Sequence, residues 1–99
     1  MAKPLHPTST GKALNVEFAA VAWEDFEYWL KTDKRMHKKI LSLIKECRRT
    51  PFEGTGKPER LKHFGENVWS RRIDARHRLV YAADQTRLTI LQCRFHYGE

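Results

Sequence analysis

Four side chains in the second half of the chain carry chemistry able to cut a phosphodiester without a metal: Glu59, Arg78, His96 and Tyr97. Such a cut needs a base to take the proton of a 2′-hydroxyl and an acid to protonate the leaving 5′-oxygen. It also needs a fixed cation to stabilise charge on the phosphorane. Glutamate and histidine can fill the first two roles, each worth about 10²–10⁴-fold when well placed. Arginine can fill the third. Glu59 and His96 are far apart in sequence, so spacing leaves the ordinary alternatives open: a loop salt bridge for Glu59, a terminal surface histidine for His96.

A second group is basic. Arg71, Arg72, Arg76, Arg78 and Arg94, with Lys57 and Lys62, lie among the aromatics Tyr81, Phe95 and Tyr97. Arginine matches phosphate bidentately, and aromatic rings offer stacking planes, so the group suits RNA. A solvated basic surface is the plain alternative. The formal net charge of +7 implies a polyanionic partner: nucleic acid, an acidic membrane surface or an acidic protein. No metal or cofactor is expected. None of His6, His37, His63, His77 and His96 stands in a ligand spacing with cysteine or carboxylate. The stretch GTGKP is no phosphate loop, because Pro58 prevents the helix that would have to follow.

The elements that must position these groups follow from composition and period. A chain of 99 residues makes one domain with a thin core, burying about 60–65 % of its unfolded surface. Residues 1–13, rich in proline and small polar residues, read as a loose leader, and 14–99 as the domain. NVEF (15–18) is a strand candidate with Val16 and Phe18 on one face. Ala22, Trp23, Phe26, Trp29 and Leu30 recur at helical spacing. Asp33 or Thr32 can cap a second helix with Met36, Ile40, Leu43, Ile44 and Cys47 on its apolar face and Lys34, Lys38, Lys39, Lys45 and Arg48 on the other. Pro51 stops it, and PFEGTGKPE (51–59) is loop. ERLKH, NVWSRRI, HRLVYAA and RLTILQCRFHY then read as strands joined by hairpin-length links. The expected fold is α+β, in the order β-α-α-β-β-β-β: two N-terminal helices on one face of a twisted, mainly antiparallel sheet. The other face is left for chemistry. Cys47 and Cys93 lie among apolar neighbours and read as reduced core thiols. No apolar run approaches the ~20 residues of a membrane span, and no secretory signal is evident, so a cytoplasmic location is expected.

The segments WEDFEYW (23–29), TDKR (32–35), RRTPFEGTGKPERLKH (48–63), WSRRI (69–73), HRLVY (77–81) and CRFHY (93–97) carry a resemblance. In that order and at that spacing the chain resembles the YoeB (Txe/YoeB) toxins of the RelE-like superfamily, over residues 14–97. The resemblance implies a ribosome-dependent mRNA interferase, which enters the vacant decoding site of the small subunit and cuts the codon through its 2′-hydroxyl. It puts the general base at Glu59, the transition-state arginine at Arg78, the acid at His96 and the terminal tyrosine at Tyr97. Lys62 and Arg72 match the phosphate-contacting positions, and Arg71 and Lys57 are added to the RNA surface from the basic group. Gly98 and Glu99 extend past the family's usual end, and the leader and HFGENVW depart from its pattern.

The same resemblance implies partners: a cognate antitoxin of the YefM/Phd type with an acidic segment, the ribosome with its rRNA and mRNA, operator DNA through the antitoxin complex, and a possible homodimer. It places the chain in a bacterial cytoplasm. Two rivals remain: a ParE-like toxin of the same fold that poisons gyrase, and a non-catalytic subunit of a DNA-bound repressor. The glutamate of KPE and the terminal FHY speak against the first.

Overall fold

The computed structural model describes residues 13–96. The expected leader (apart from residue 13), Tyr97, Gly98 and Glu99 therefore lie outside the described residues. The elements are β1 (Asn15–Phe18), α1 (Ala20–Thr32), α2 (Lys34–Cys47), β2 (Glu59–Arg60), β3 (Val68–Arg72), β4 (Arg78–Ala83) and β5 (Arg87–Gln92). The sheet runs β1-β5-β4-β3-β2. The first strand pairs parallel with β5, and every other pair is antiparallel. The α+β order expected from the sequence is the order found.

The helices form because their apolar residues repeat at three and four. In α2, Ile40, Leu43, Ile44 and Cys47 are buried, while the lysines face water. Each aliphatic side chain buried in this way stabilises by about 1.5–3 kcal/mol. Asp33 ends α1 and caps α2, accepting from the N–H groups of Arg35 (3.1 Å) and Met36 (3.2 Å). In α1, Ala22 and Trp29 are buried, whereas Trp23 and Leu30 remain exposed. Both helices cover the sheet face formed by Ile73, Leu79, Tyr81, Ala83, Leu88 and Ile90. Cys47 and Cys93 are free and buried there. Burial pushes their thiols up to about 11 and about 12, so both stay neutral and inert.

Two strands differ from expectation. ERLKH pairs with β3 only over Glu59 and Arg60, with one further bond from the Leu61 N–H to the Val68 carbonyl (2.8 Å). The final strand ends at Gln92, not at the chain's end, and residues 94–96 bend away. Arg94 and His96, which one continuous strand through Tyr97 would have placed on the same face, therefore share no strand face. The cause is tertiary: helix side chains take the peptide groups of Cys93, and Phe95 adopts a φ of 67°.

Candidate active site

Residues paired directly across antiparallel strands point to the same side of a sheet. Glu59 pairs with Ser70, Ser70 with Val80, and Arg72 with Arg78. Val80 packs with Leu61 and Val68, away from the helices. Glu59, Arg72 and Arg78 therefore rise from the uncovered face around this small apolar floor. Two strand spacings and a two-residue offset separate the Cα atoms of Glu59 and Arg78 by about 12 Å, a gap that two long side chains can close on one phosphate. Arg72 and Arg78 stand directly opposite each other. Two cations in that relation repel, and an anion laid between them relieves the repulsion. Lys57 and Lys62 are exposed beside β2. Among the described residues no group of three or more His, Cys, Asp or Glu side chains could hold a metal ion.

Arg71 must be removed from this surface. Its parity sets it on the helix side, between Trp69 and Ile73, and it is 0 % exposed. Its guanidinium donates to the Glu46 carboxylate (2.8 Å), the Tyr81 hydroxyl (3.2 Å) and the carbonyls of Glu53 (2.8 Å), Thr55 (3.2 Å) and Thr50. Tyr81 donates onward to the Pro51 carbonyl (2.5 Å), and Glu46 accepts the Thr55 N–H (2.6 Å). The loop between α2 and β2 is thus wrapped around one buried cation. Burial opposes the Arg71 charge, but its bonds to Tyr81 and Glu46 and the neighbouring charges outweigh it and hold the group protonated. The Thr55 N–H, and then Arg71, holds the Glu46 carboxyl below its usual range, and burial raises the Tyr81 phenol. Glycine is required in this loop. Gly56 has a φ of 89°, and a Cβ there would meet the Arg72 carbonyl oxygen at 2.8 Å. Its own carbonyl accepts the Arg72 N–H at 2.7 Å, which ties the loop to β3 just before Lys57 and Glu59.

The tail that carries His96 is held differently. The Cys93 N–H donates to Asp25 (3.0 Å), and the Trp29 indole donates to the Cys93 carbonyl (2.8 Å). The Phe95 N–H donates to His77 Nδ1 (2.6 Å), and its carbonyl accepts the Arg78 N–H (3.0 Å). Gln92, paired with Val80 and so on the open side, donates to the carbonyls of Arg94 (3.0 Å) and His96 (3.4 Å). His96 thus follows immediately after a backbone bond to Arg78. Arg94 turns the other way, its guanidinium 3.6 Å from the centre of the Tyr28 ring, and so leaves the basic group.

The sequence reading missed Asp25, Trp29, His77 and Gln92 on the tail and Glu46 on the loop, and it offered Tyr81 as a stacking ring for RNA, whereas Tyr81 is fully buried on the helix side and its hydroxyl serves the loop. Two of these had a visible signal. Asp25 is a carboxylate within the stripe of Ala22, Phe26 and Trp29, where only a specific partner makes a charge tolerable. Tyr81 shares the core-facing parity of Leu79 and Ala83. A cleft of about 490 Å³ lies beside α2, lined by Lys39, Leu43, Glu46, Gly56, Arg72 and Asp74 among others. Glu59, Arg78 and His96 do not line it. Their face is open, which fits an extended polymer strand better than an enclosed small molecule.

Comparison with known proteins agrees with this architecture. A family model described as "YoeB-like toxin of bacterial type II toxin-antitoxin system" matches residues 18–97. Toxin YoeB of Escherichia coli K12 is 59 % identical over 76 residues, covering 77 % of this chain and 90 % of that protein. The solved YoeB dimer of Staphylococcus aureus superposes with a TM-score of 0.79 at 44 % identity, covering 86 % of this chain and 99 % of its own. YoeB in the S. aureus YoeB–YefM complex does so with a TM-score of 0.76 at 44 % identity, covering 85 % and 98 %. A fold with two helices over a mixed five-stranded sheet, and sequence likeness over residues 18–97, make this chain a member of the YoeB toxin family of bacterial type II toxin–antitoxin systems.

Proposed function

We propose that this toxin is a ribosome-dependent endoribonuclease that cuts messenger RNA in the vacant decoding site of the small subunit. Glu59 takes the 2′-hydroxyl proton, and the freed oxygen attacks the adjacent phosphorus. Arg78 stabilises the phosphorane, and His96 protonates the departing 5′-oxygen. The products are a 2′,3′-cyclic phosphate and a 5′-hydroxyl end. Arg72, Lys62 and Lys57 hold the RNA backbone, and Tyr97 orients the base or the scissile phosphate. Arg71 touches no RNA in this scheme; it holds the loop that leads to Glu59.

The observation that carries the reading is the opposed pair Arg72 and Arg78 on the uncovered face, with Glu59 two strands away. Like charges directly opposite each other on a ladder are unfavourable, and a phosphate laid between them offsets that cost. The net charge of +7 favours anionic partners generally. By likeness to the S. aureus complex, the antitoxin is of the YefM type, its acidic segment neutralising the same face, and the complex reaches operator DNA through the antitoxin. By likeness to the S. aureus dimer, two copies of the chain associate. These partners put the toxin in the bacterial cytoplasm; no described helix is long and apolar enough to cross a membrane.

The test is to add the purified chain to ribosomes programmed with a defined codon and to map 5′-hydroxyl RNA ends. The wild type cuts the codon. Glu59→Ala and His96→Ala each slow the cut by about 10²–10⁴-fold. Full-rate cleavage by both variants removes the residue assignment. An uncut codon together with inhibited DNA gyrase supercoiling replaces the reading with a gyrase-directed toxin.

A further inference from the structure

Two of the three residues before His96, Cys93 and Phe95, have both of their backbone polar groups bonded. Both polar atoms of the Cys93 backbone bond to side chains of α1, its N–H to Asp25 at 3.0 Å and its carbonyl to the Trp29 indole at 2.8 Å. Both polar atoms of the Phe95 backbone bond to the start of β4, its N–H to His77 Nδ1 at 2.6 Å and its carbonyl to the Arg78 N–H at 3.0 Å. The Trp29 and His77 rings meet edge to face, their centroids 4.9 Å apart, so the two holders brace each other. Phe95 is bent into a φ of 67°, a conformation that a phenylalanine keeps only when its surroundings impose it. Trp29 and Cys93 also belong to the core, where α1 is held by Ala22 as well and β5 by Leu88 and Ile90, but the hydrogen bonds to the tail add a constraint that apolar packing does not supply.

We propose that Asp25, Trp29 and His77 are positioning residues for His96, a latch by which α1 and β4 aim the proton donor of the cleavage reaction. The proposal rests on the nuclease reading above. The latch bonds only to backbone atoms of Cys93 and Phe95 and touches no RNA. It sets the height and direction of the tail beside Arg78. Releasing it leaves Glu59, Arg72 and Arg78 on their strands, so RNA still binds. The acid, however, is no longer held at the leaving oxygen. A displacement of about 1 Å at a reacting group can cost about 10²-fold in rate.

The experiment compares Asp25→Ala, Asp25→Asn and Trp29→Phe with the wild type in the ribosome cleavage assay, alongside ¹⁵N relaxation of residues 94–96. Asparagine keeps an acceptor oxygen for the Cys93 N–H, and phenylalanine keeps an aromatic ring, smaller than the indole, while losing the donor. In Asp25→Ala and Trp29→Phe, kcat is expected to fall about 10–100-fold with the KM for ribosomes unchanged. Asp25→Asn should restore kcat to within about threefold, because the acceptor geometry is retained. Tail order parameters should drop from about 0.85 to below about 0.6 in the two impaired variants. Wild-type kcat and a rigid tail in either impaired variant would overturn the latch and leave the nuclease reading standing. A rise in KM with kcat intact would overturn it too, by assigning these residues to RNA binding. A wild type that leaves codons whole overturns the nuclease reading itself and takes the latch's catalytic role with it. If Asp25→Ala does not fold, Trp29→Phe and Asp25→Asn decide between these outcomes.

Discussion

The loop leading to Glu59 and the tail carrying His96 are anchored by opposite means. The loop wraps a buried guanidinium whose five acceptors lie on Glu46, Thr50, Glu53, Thr55 and Tyr81. The tail hangs on single hydrogen bonds from neutral and charged groups spread over α1, β4 and Gln92. A buried cation without its acceptors is costly, so the loop is ordered as a condition of folding. Single hydrogen bonds contribute about 0.5–1.5 kcal/mol each, so the tail can be released while the fold survives. The difference teaches where adjustment is cheap in this toxin: at the tail that carries His96, not at the loop that leads to Glu59.

Arg71→Ala tests the contrast most severely. It removes the centre of the loop and leaves the carbonyls of Thr50, Glu53 and Thr55 without their donor, at an expected cost of about 3–5 kcal/mol. In a domain of this size that lowers Tm by well over about 10 °C in a thermal melt. A melt within a few degrees of wild type would make the loop as releasable as the tail and erase the distinction. Gly56→Ala is next. It imposes a positive φ on alanine and drives a Cβ towards the Arg72 carbonyl, at an expected cost of about 1–3 kcal/mol by urea unfolding. Unchanged stability there would mean that the loop is not seated on β3.

Acidification separates the two regions by sign, with the smallest effect. The Glu46 carboxyl is held below its usual value, chiefly by the Thr55 N–H and then by Arg71. A lowered folded pKa contributes stability above the unfolded value, 4.5 for this group, that is lost as pH falls through the folded one. Asp25 is shifted upward, chiefly by burial and against the Cys93 N–H, so its ionisation opposes folding at neutral pH. That penalty is relieved as pH falls through its raised value. Urea melts between about pH 7 and pH 3 should therefore fall less steeply in Glu46→Gln than in wild type, and more steeply in Asp25→Asn. Equal slopes in the two variants would show that the carboxylates do not differ as described.

Much of this was legible in the residues. The stripe from Met36 to Cys47 marks α2, and Asp33 marks its start. The alternation through β3 and β4 assigns faces correctly, and by that alternation Arg71 belongs with Trp69 and Ile73 on the covered side. Its chemistry argued for RNA, but its parity was the better guide. Arginine is bound wherever planar acceptors are offered, and carbonyls of a folded loop serve as well as phosphate. The parallel pairing of β1 with β5 left no local trace, because it joins the two ends of the described chain.

By itself the sequence determined which elements form, which faces are apolar, and that Glu59, Arg72 and Arg78 are available on strands, since propensity and period act over a few neighbouring residues. The tertiary structure alone decided which acceptors close around Arg71 and that the last strand stops at Gln92. It also decided that α1 reaches across more than sixty positions to hold Cys93. Those outcomes depend on which hydrogen-bonding groups are left unmatched when the helices close on the sheet, and a buried donor or acceptor bonds whatever the fold brings within reach, however distant in sequence.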